Sequence, residues 1–191
     1  METLKTVAGR VAGSRGRARI RHVRTARRLR RPDAPLRLHL GCGQRRLPGF
    51  VNIDHNRSEA TDYVSDIAKL PCPPSSVERI EAYHVIEHIP INTVRDVLAH
   101  WKELLQQGGT LVLECPDLDA DIRELQEGNH ERMFSIFGRQ RFPGDVHHWG
   151  YTETSLTGLL HELGYVNARA LPPTDYHAEK EPCIRVEADA P

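Results

Sequence analysis

The segment Leu36–Gln44 constrains this chain most. In Leu36-Arg-Leu-His-Leu40 the apolar residues fall at 36, 38 and 40, the period of two that lays one strand face on a core. Gly41-Cys42-Gly43 follows at once. Glycine at a strand end permits a tight turn with positive φ, and it lets backbone N–H groups approach a ligand that a side chain would hold off. Such a turn serves a nucleotide-type ligand when a carboxylate ends the next parallel strand, where it accepts hydrogen bonds from both hydroxyls of a ribose. Phe50-Val-Asn-Ile-Asp54 supplies it as Asp54. The fuller GxGxxG of dinucleotide sites is absent, because the turn continues Gln44-Arg-Arg-Leu-Pro-Gly49, and this weakens an NAD-binding reading.

Two further motifs follow in order. Thr61-Asp-Tyr-Val-Ser-Asp-Ile67 reads as a short third strand ending at Asp66, and Ile80 to Ile86 as a fourth that runs into Tyr83-His-Val-Ile-Glu-His-Ile89. Together, Gly41-Cys42-Gly43, Asp54, Asp66-Ile67 and the 83–89 run resemble the class I S-adenosylmethionine-dependent methyltransferases over roughly residues 36 to 115. The resemblance implies cofactor contacts from Gly41, Cys42, Gly43, Asp54, Asp66, Ile67 and His84. Asp66 would take the adenine amino group, and Ile67 the ring. Many relatives carry an acid near the end of strand one that helps hold the amino group of the cofactor's methionine part. Here that position is His39, and Glu87 is a candidate substitute.

A parallel crossover usually needs a dozen or more residues. Only residues 41–49 separate the first two strands, so either the first crossover helix is cut to a turn or the strand ends lie elsewhere. Arg45, Arg46 and Pro48 would then rim a more open pocket. Val94, Val97, Leu98, Trp101, Leu104 and Leu105 recur at three and four residues, which predicts a helix capped at Asn92 and stopped by Gly108-Gly109. Thr110–Glu114 reads as strand five, and Asp117 as the cap of a helix over Leu118–Gln126 or as a substrate-facing carboxylate. Thr152 caps a further helix with the stripe Leu156, Leu159, Leu160, Leu163. Tyr165–Ala170 and Cys183–Ala188 read as a last antiparallel hairpin, and the loop between them, with Tyr176 and His177, either closes over a substrate or merely connects.

Charge divides the chain. Residues 1–31 hold Lys5 and ten arginines against Glu2, a net +10, so residues 32–191 carry −10 in a chain that is neutral overall. The basic stretch reads as a flexible arm, partly helical from about Arg17, because Ile20, Val23 and Leu29 are too sparse for a packed face. It suits an anionic membrane surface. Nucleic acid is disfavoured, since the arm has no aromatic ring for base stacking and no (D/N)PPY-type run occurs at strand four. No apolar h-region follows the charges, so the arm does not read as a secretory signal. Pro32-Asp-Ala-Pro35 is the expected hinge into a single domain over 32–191. Cys42, Cys72, Cys115 and Cys183 form no CxxC pair and read as reduced, packed thiols, in keeping with a cytoplasmic protein at most peripheral to the inner membrane face.

The segment 128–151 breaks the regular alternation and concentrates Phe134, Phe137, Phe142, His147, His148, Trp149 and Tyr151, which suggests a substrate lid. Histidine near neutrality can take a proton from a hydroxyl or amine as a methyl group is transferred. His147 and His148 are the first candidates for that base, followed by His88. The two histidines with Asp145 could instead ligate a metal, but adjacent residues of an extended chain point opposite ways, and no metal is expected.

The expected fold is α/β, a Rossmann-like, doubly wound, mostly parallel seven-stranded sheet with a C-terminal antiparallel hairpin. The resemblance extends to small type 11-like methyltransferases often associated with bacterial surface-glycan assembly. It implies S-adenosylmethionine as cofactor and an oxygen or nitrogen of a small-molecule, sugar or glycolipid acceptor. A non-catalytic cofactor-binding scaffold and an arm-guided nucleic-acid methyltransferase are the rival readings.

Overall fold

A computed structural model describes residues 21–191. Five strands run parallel: β1 (Leu36–Leu40), β2 (Val51–Asp54), β3 (Tyr63–Val64), β4 (Val77–Tyr83) and β5 (Leu105–Pro116). β6 (Val166–Leu171) and β7 (Cys183–Asp189) complete the sheet as an antiparallel hairpin, with β7 antiparallel to β5. The spatial order is β3-β2-β1-β4-β5-β7-β6. The winding direction reverses between β1 and β4, and ligands of such sheets bind beyond the carboxyl ends of the strands at that point.

Register explains why the central strands are so apolar. Leu38 pairs with Val51 and Ile80, Leu40 with Ile53 and Ala82, and Leu113 with Ala82 and Val186. All are buried in one core. Helix α2 (Val94–Leu104) adds the expected stripe, with Val94, Leu98 and Trp101 fully buried. The Trp101 indole donates to the Ile67 carbonyl at 2.9 Å, which ties the helix to the segment after β3. Helices α3 (Leu118–Gln126), α4 (Arg132–Phe137) and α5 (Glu153–Glu162) follow. Asp117 caps α3 by accepting from Asp119 N–H, and Thr152 with Ser155 forms a reciprocal capping box on α5.

Several expected bounds move. β4 ends at Tyr83 rather than Ile86, because His84 takes φ +52 and turns the chain, and Ile86–His88 is a 3-10 turn. β3 has two residues, and Asp66 caps the 3-10 turn Ile67–Lys69. α2 stops at Leu104, before the glycines, and has Thr93 rather than Asn92 at its cap. Gly108-Gly109 lies inside an irregular start of β5. Between β1 and β2 there is no helix, so the crossover is indeed a turn.

The basic arm needs a larger revision. Residues 1–20 lie outside the described residues, but 21–30 form a helix, α1, that is docked. Leu29 is fully buried in the core, with Ala26 packed beside it. The His22 ring stacks on Tyr63 at 4.6 Å, and Arg21 lies 3.8 Å from Asp62. One leucine and one alanine suffice because the aromatic stack and the ion pair complete the contact, so packing begins at α1 rather than at Pro32. Leu29→Ala should therefore destabilise the fold by about 3 kcal/mol, measured by urea denaturation. An undocked arm would leave stability unchanged.

All four cysteines are free thiols, three of them buried. No helix among the described residues is long and apolar enough to cross a membrane.

Candidate functional site

The glycine turn sits at the switch point. Gly41 has φ +65, and a Cβ there would lie 2.3 Å from Val85 Cγ2, so this glycine lets the chain leaving β4 pack against the end of β1. Gly43 has φ +50, and a Cβ there would meet nothing within 4 Å. Its backbone thus faces open space, as a cradle for a ligand must. The Gly43 N–H donates to Asp54 Oδ2 at 2.8 Å, and Asn56 N–H donates to Oδ1 at 2.7 Å. The two bonds aim the Asp54 carboxylate from the end of β2 towards the turn, and each oxygen keeps a lone pair for a further donor. Cys42 turns inward, where burial pushes its thiol up to about 11, and its N–H donates to the Ile53 carbonyl at 3.1 Å, so it shapes the turn rather than offering a free donor. Asp66 is exposed beyond β3, with Ile67 half-buried next to it. The turn and the strand-end carboxylate thus form a cradle open to a ligand, with Asp66 and Ile67 at the exposed tip beyond β3.

His39 does not replace the missing acid. It is buried, its Nδ1 pairs with Asn52 Oδ1 at 2.9 Å, and burial holds its pKa below the usual imidazole range. Glu87 is not at strand one either, for it faces a group of histidines beyond β4. Asp175 comes near instead. It pairs with Arg45, which follows the glycine turn, and with His177 at 2.5 Å. The loop after β6 therefore folds back over this end of the sheet and does more than connect. Its Thr174 and Asp175 N–H groups donate to the fully buried Glu114 carboxylate at 3.0 and 2.7 Å. Asp175 was missed in the sequence because its position depends on pairing 130 residues away.

His84, at the exit of β4, lies between these halves. Its Nδ1 is 3.2 Å from Glu87 Oε1, its Nε2 is 3.6 Å from Cys183 Sγ, and its ring stacks on His177 at 4.0 Å. Burial opposes its charge, but the contacts with Cys183 and Glu87 outweigh this and raise its pKa to about 10.

On the other side of Glu87, a small cavity is lined by Glu87, Pro116, Leu118, Asp121, His147 and Tyr151, among others. His148 and Trp149 N–H groups donate to the Glu87 carbonyl at 2.7 and 3.3 Å, and Leu118 N–H donates to the Tyr151 carbonyl at 3.0 Å. These bonds draw the 146–151 segment over the ends of β4 and β5. His88 and His147 meet edge to face, 4.8 Å between ring centres. His148 does not join them; it points out, exposed, as alternation along an extended chain requires. Asp145 is likewise taken, by Arg141 Nε at 2.8 Å, so the His147–His148–Asp145 ligand set is not assembled. Phe134, Phe137, Phe142 and Trp149 of the expected lid are exposed, and of these Trp149 reaches the cavity.

Burial pushes the Asp121 carboxyl up to about 6, even though Ser135 Oγ donates to it at 2.6 Å. Between its ordinary value near 4 and about 6 the folded chain binds more protons than the unfolded one, so this group lowers stability as pH rises through that window. Asp121→Asn should raise stability at neutral pH and flatten the pH 4–6 slope in urea denaturation. An unchanged slope would count against a strained buried carboxyl.

No family model matches the sequence, and no curated protein matches it. Solved structures share its fold. A methyltransferase from Methanosarcina mazei described as dependent on S-adenosylmethionine superposes with a TM-score of 0.58 at 14% identity, covering 84% of this chain and 94% of that one. One from Archaeoglobus fulgidus gives 0.57 at 13% identity, covering 98% and 100%. The CurJ carbon methyltransferase gives 0.52 at 18% identity, over 83% of this chain but only 49% of that one. The sheet, hairpin included, is that of the class I methyltransferases.

Proposed function

We propose that this chain is an S-adenosylmethionine-dependent methyltransferase acting on an oxygen or nitrogen of a small-molecule, sugar or glycolipid acceptor. The observation that carries the reading is the Asp54 carboxylate, held by Gly43 N–H at 2.8 Å over a turn with open space at Gly43. The shared fold supports it. Gly41 to Gly43, Asp54, Asp66, Ile67 and His84 would hold the cofactor, which supplies an electrophilic methyl group when bound.

The protein's own task is then to align the acceptor, exclude water and accept a proton. Buried Tyr151 Oη and Asp121 Oδ1 lack partners in the small cavity beside Glu87, which has room for little more than one water, so an acceptor would present its hydroxyl or amine at the mouth of that cavity. The proton leaves towards Glu87, His88 and His147. His147 donates its Nδ1–H to the Ser135 carbonyl at 2.6 Å, and burial keeps its pKa below the usual range, so the neutral ring presents an unprotonated Nε2. Exposed arginines 24, 27, 28, 30 and 31 on and after α1 favour contact with an anionic membrane face, which would bring a glycolipid within reach.

The test is turnover. Methyl-labelled cofactor is incubated with the full chain and a panel of sugar, glycolipid, phenol and amine acceptors. Acceptor-dependent release of S-adenosylhomocysteine supports the reading. Binding without turnover on any acceptor would favour a scaffold, and turnover confined to RNA or DNA would favour the nucleic-acid rival.

A further inference from the structure

We infer that Glu87, His88 and His147 form a binding site for a divalent first-row transition cation beside the small cavity that Glu87 and His147 line. One ligand atom from each lies within 4.8 Å of the others. The two imidazoles are prepared alike: His88 donates Nδ1–H to the Val146 carbonyl at 2.9 Å, and His147 donates Nδ1–H to the Ser135 carbonyl at 2.6 Å. Metal-ligating histidines are held in this way, with one nitrogen bonded to a carbonyl and the other left as the ligand. Here that leaves both Nε2 lone pairs free.

Glu87 supplies the charge. It is 1% exposed, and neither carboxylate oxygen has a hydrogen-bond partner. His84 Nδ1 stands 3.2 Å from Oε1 and answers part of the charge as an ion pair, while Oε2 accepts no hydrogen bond. The remaining oxygen of a buried carboxylate is costly to leave bare unless a further cation or donor satisfies it. Of the five buried side-chain atoms without a partner among the described residues, four belong to Glu87, Asp121 and Tyr151, all lining one cavity. The unmet polar groups are therefore concentrated where an ion and its remaining ligands would sit.

Two imidazoles and one carboxylate suit zinc, iron, cobalt or manganese better than magnesium or calcium, which prefer all-oxygen shells. Around an ion at about 2.1 Å the ligand atoms sit about 3.4 Å apart, so binding would draw the three side chains together. Three protein ligands leave positions open towards Asp121 and Tyr151. An acceptor hydroxyl coordinated there would lose its proton more easily; with Glu87 and both Nε2 atoms on the ion, that proton would pass to Asp121 in the same cavity instead of to the histidines, and this role rests on the methyl-transfer reading. The site itself does not.

The test uses tag-free full chain, stripped with chelator, dialysed and titrated with Co2+ without cofactor or acceptor. One equivalent with visible d–d absorption is expected, displaced by Zn2+. His88→Ala and His147→Ala should each weaken binding at least about a hundredfold, with circular dichroism showing the fold retained. His177→Ala should leave binding unchanged, although His84, Asp175 and His177 form a second candidate cluster. No saturable binding, or binding lost in His177→Ala but kept in both other variants, would overturn the inference. Cofactor affinity, measured separately, can fail or hold independently.

Discussion

Asp54→Ala is expected to lose S-adenosylmethionine binding by about a hundredfold or more while the chain stays folded. A charged acceptor facing the hydroxyls of a ribose contributes about 1.5–3 kcal/mol per hydrogen bond. The loss is compounded here, since the same carboxylate holds the Gly43 N–H at 2.8 Å and the Asn56 N–H at 2.7 Å. Removing it withdraws the ligand contact and loosens the turn together. Asp54→Asn retains one carbonyl oxygen and should fall between the two. Calorimetry on all three proteins checks this, and equal affinities would remove Asp54 from the site.

The largest effect on stability is expected from Arg185→Met. Arg185 is buried on β7, with Nη1 3.2 Å from Glu114 Oε2 and 2.6 Å from Thr174 Oγ1, and Nη2 2.9 Å from Glu187 Oε1. Glu114 is fully buried on the neighbouring strand, and the two residues are direct partners in the β5–β7 register. Removing the cation leaves that carboxylate with only the Thr174 and Asp175 N–H groups and no counter-charge, at a cost of about 3–5 kcal/mol. For a chain of this size that lowers Tm by roughly 6–20 °C. Adding Glu114→Gln to Arg185→Met should recover part of the loss, because no buried charge then lacks a partner. Thermal unfolding that is unchanged in the single variant would mean that the network is already solvated.

These two sites show what was legible in the sequence. Asp54 was readable because a local pattern, apolar alternation ending in an acid, places it at a strand tip. The cap at Thr152 and the β6–β7 hairpin were readable for the same reason, while the reciprocal bond from Ser155 was seen only in the structure. Arg185 was not, since its meaning comes from Glu114 across the sheet. Strand ends moved where one residue adopts an unusual backbone: nothing in the apolar run 80–86 signals that His84 turns at φ +52. Leu29 looked isolated because the partners that bury it are remote in sequence. The 83–89 run and His147 were each visible as chemistry, but their convergence spans 58 residues, as the His88 bond to Val146 measures. Tyr151 was visible only as one aromatic of the 128–151 segment and Asp121 carried no local signal, so the cavity is what brings them together.

The most direct measurement is a calorimetric titration of S-adenosylmethionine into the folded full chain. One site with micromolar affinity is the expected result, and it would make the glycine turn and Asp54 a working cofactor cradle. A folded chain that takes up no cofactor would contradict the methyltransferase reading, leaving a protein that keeps the fold without its chemistry.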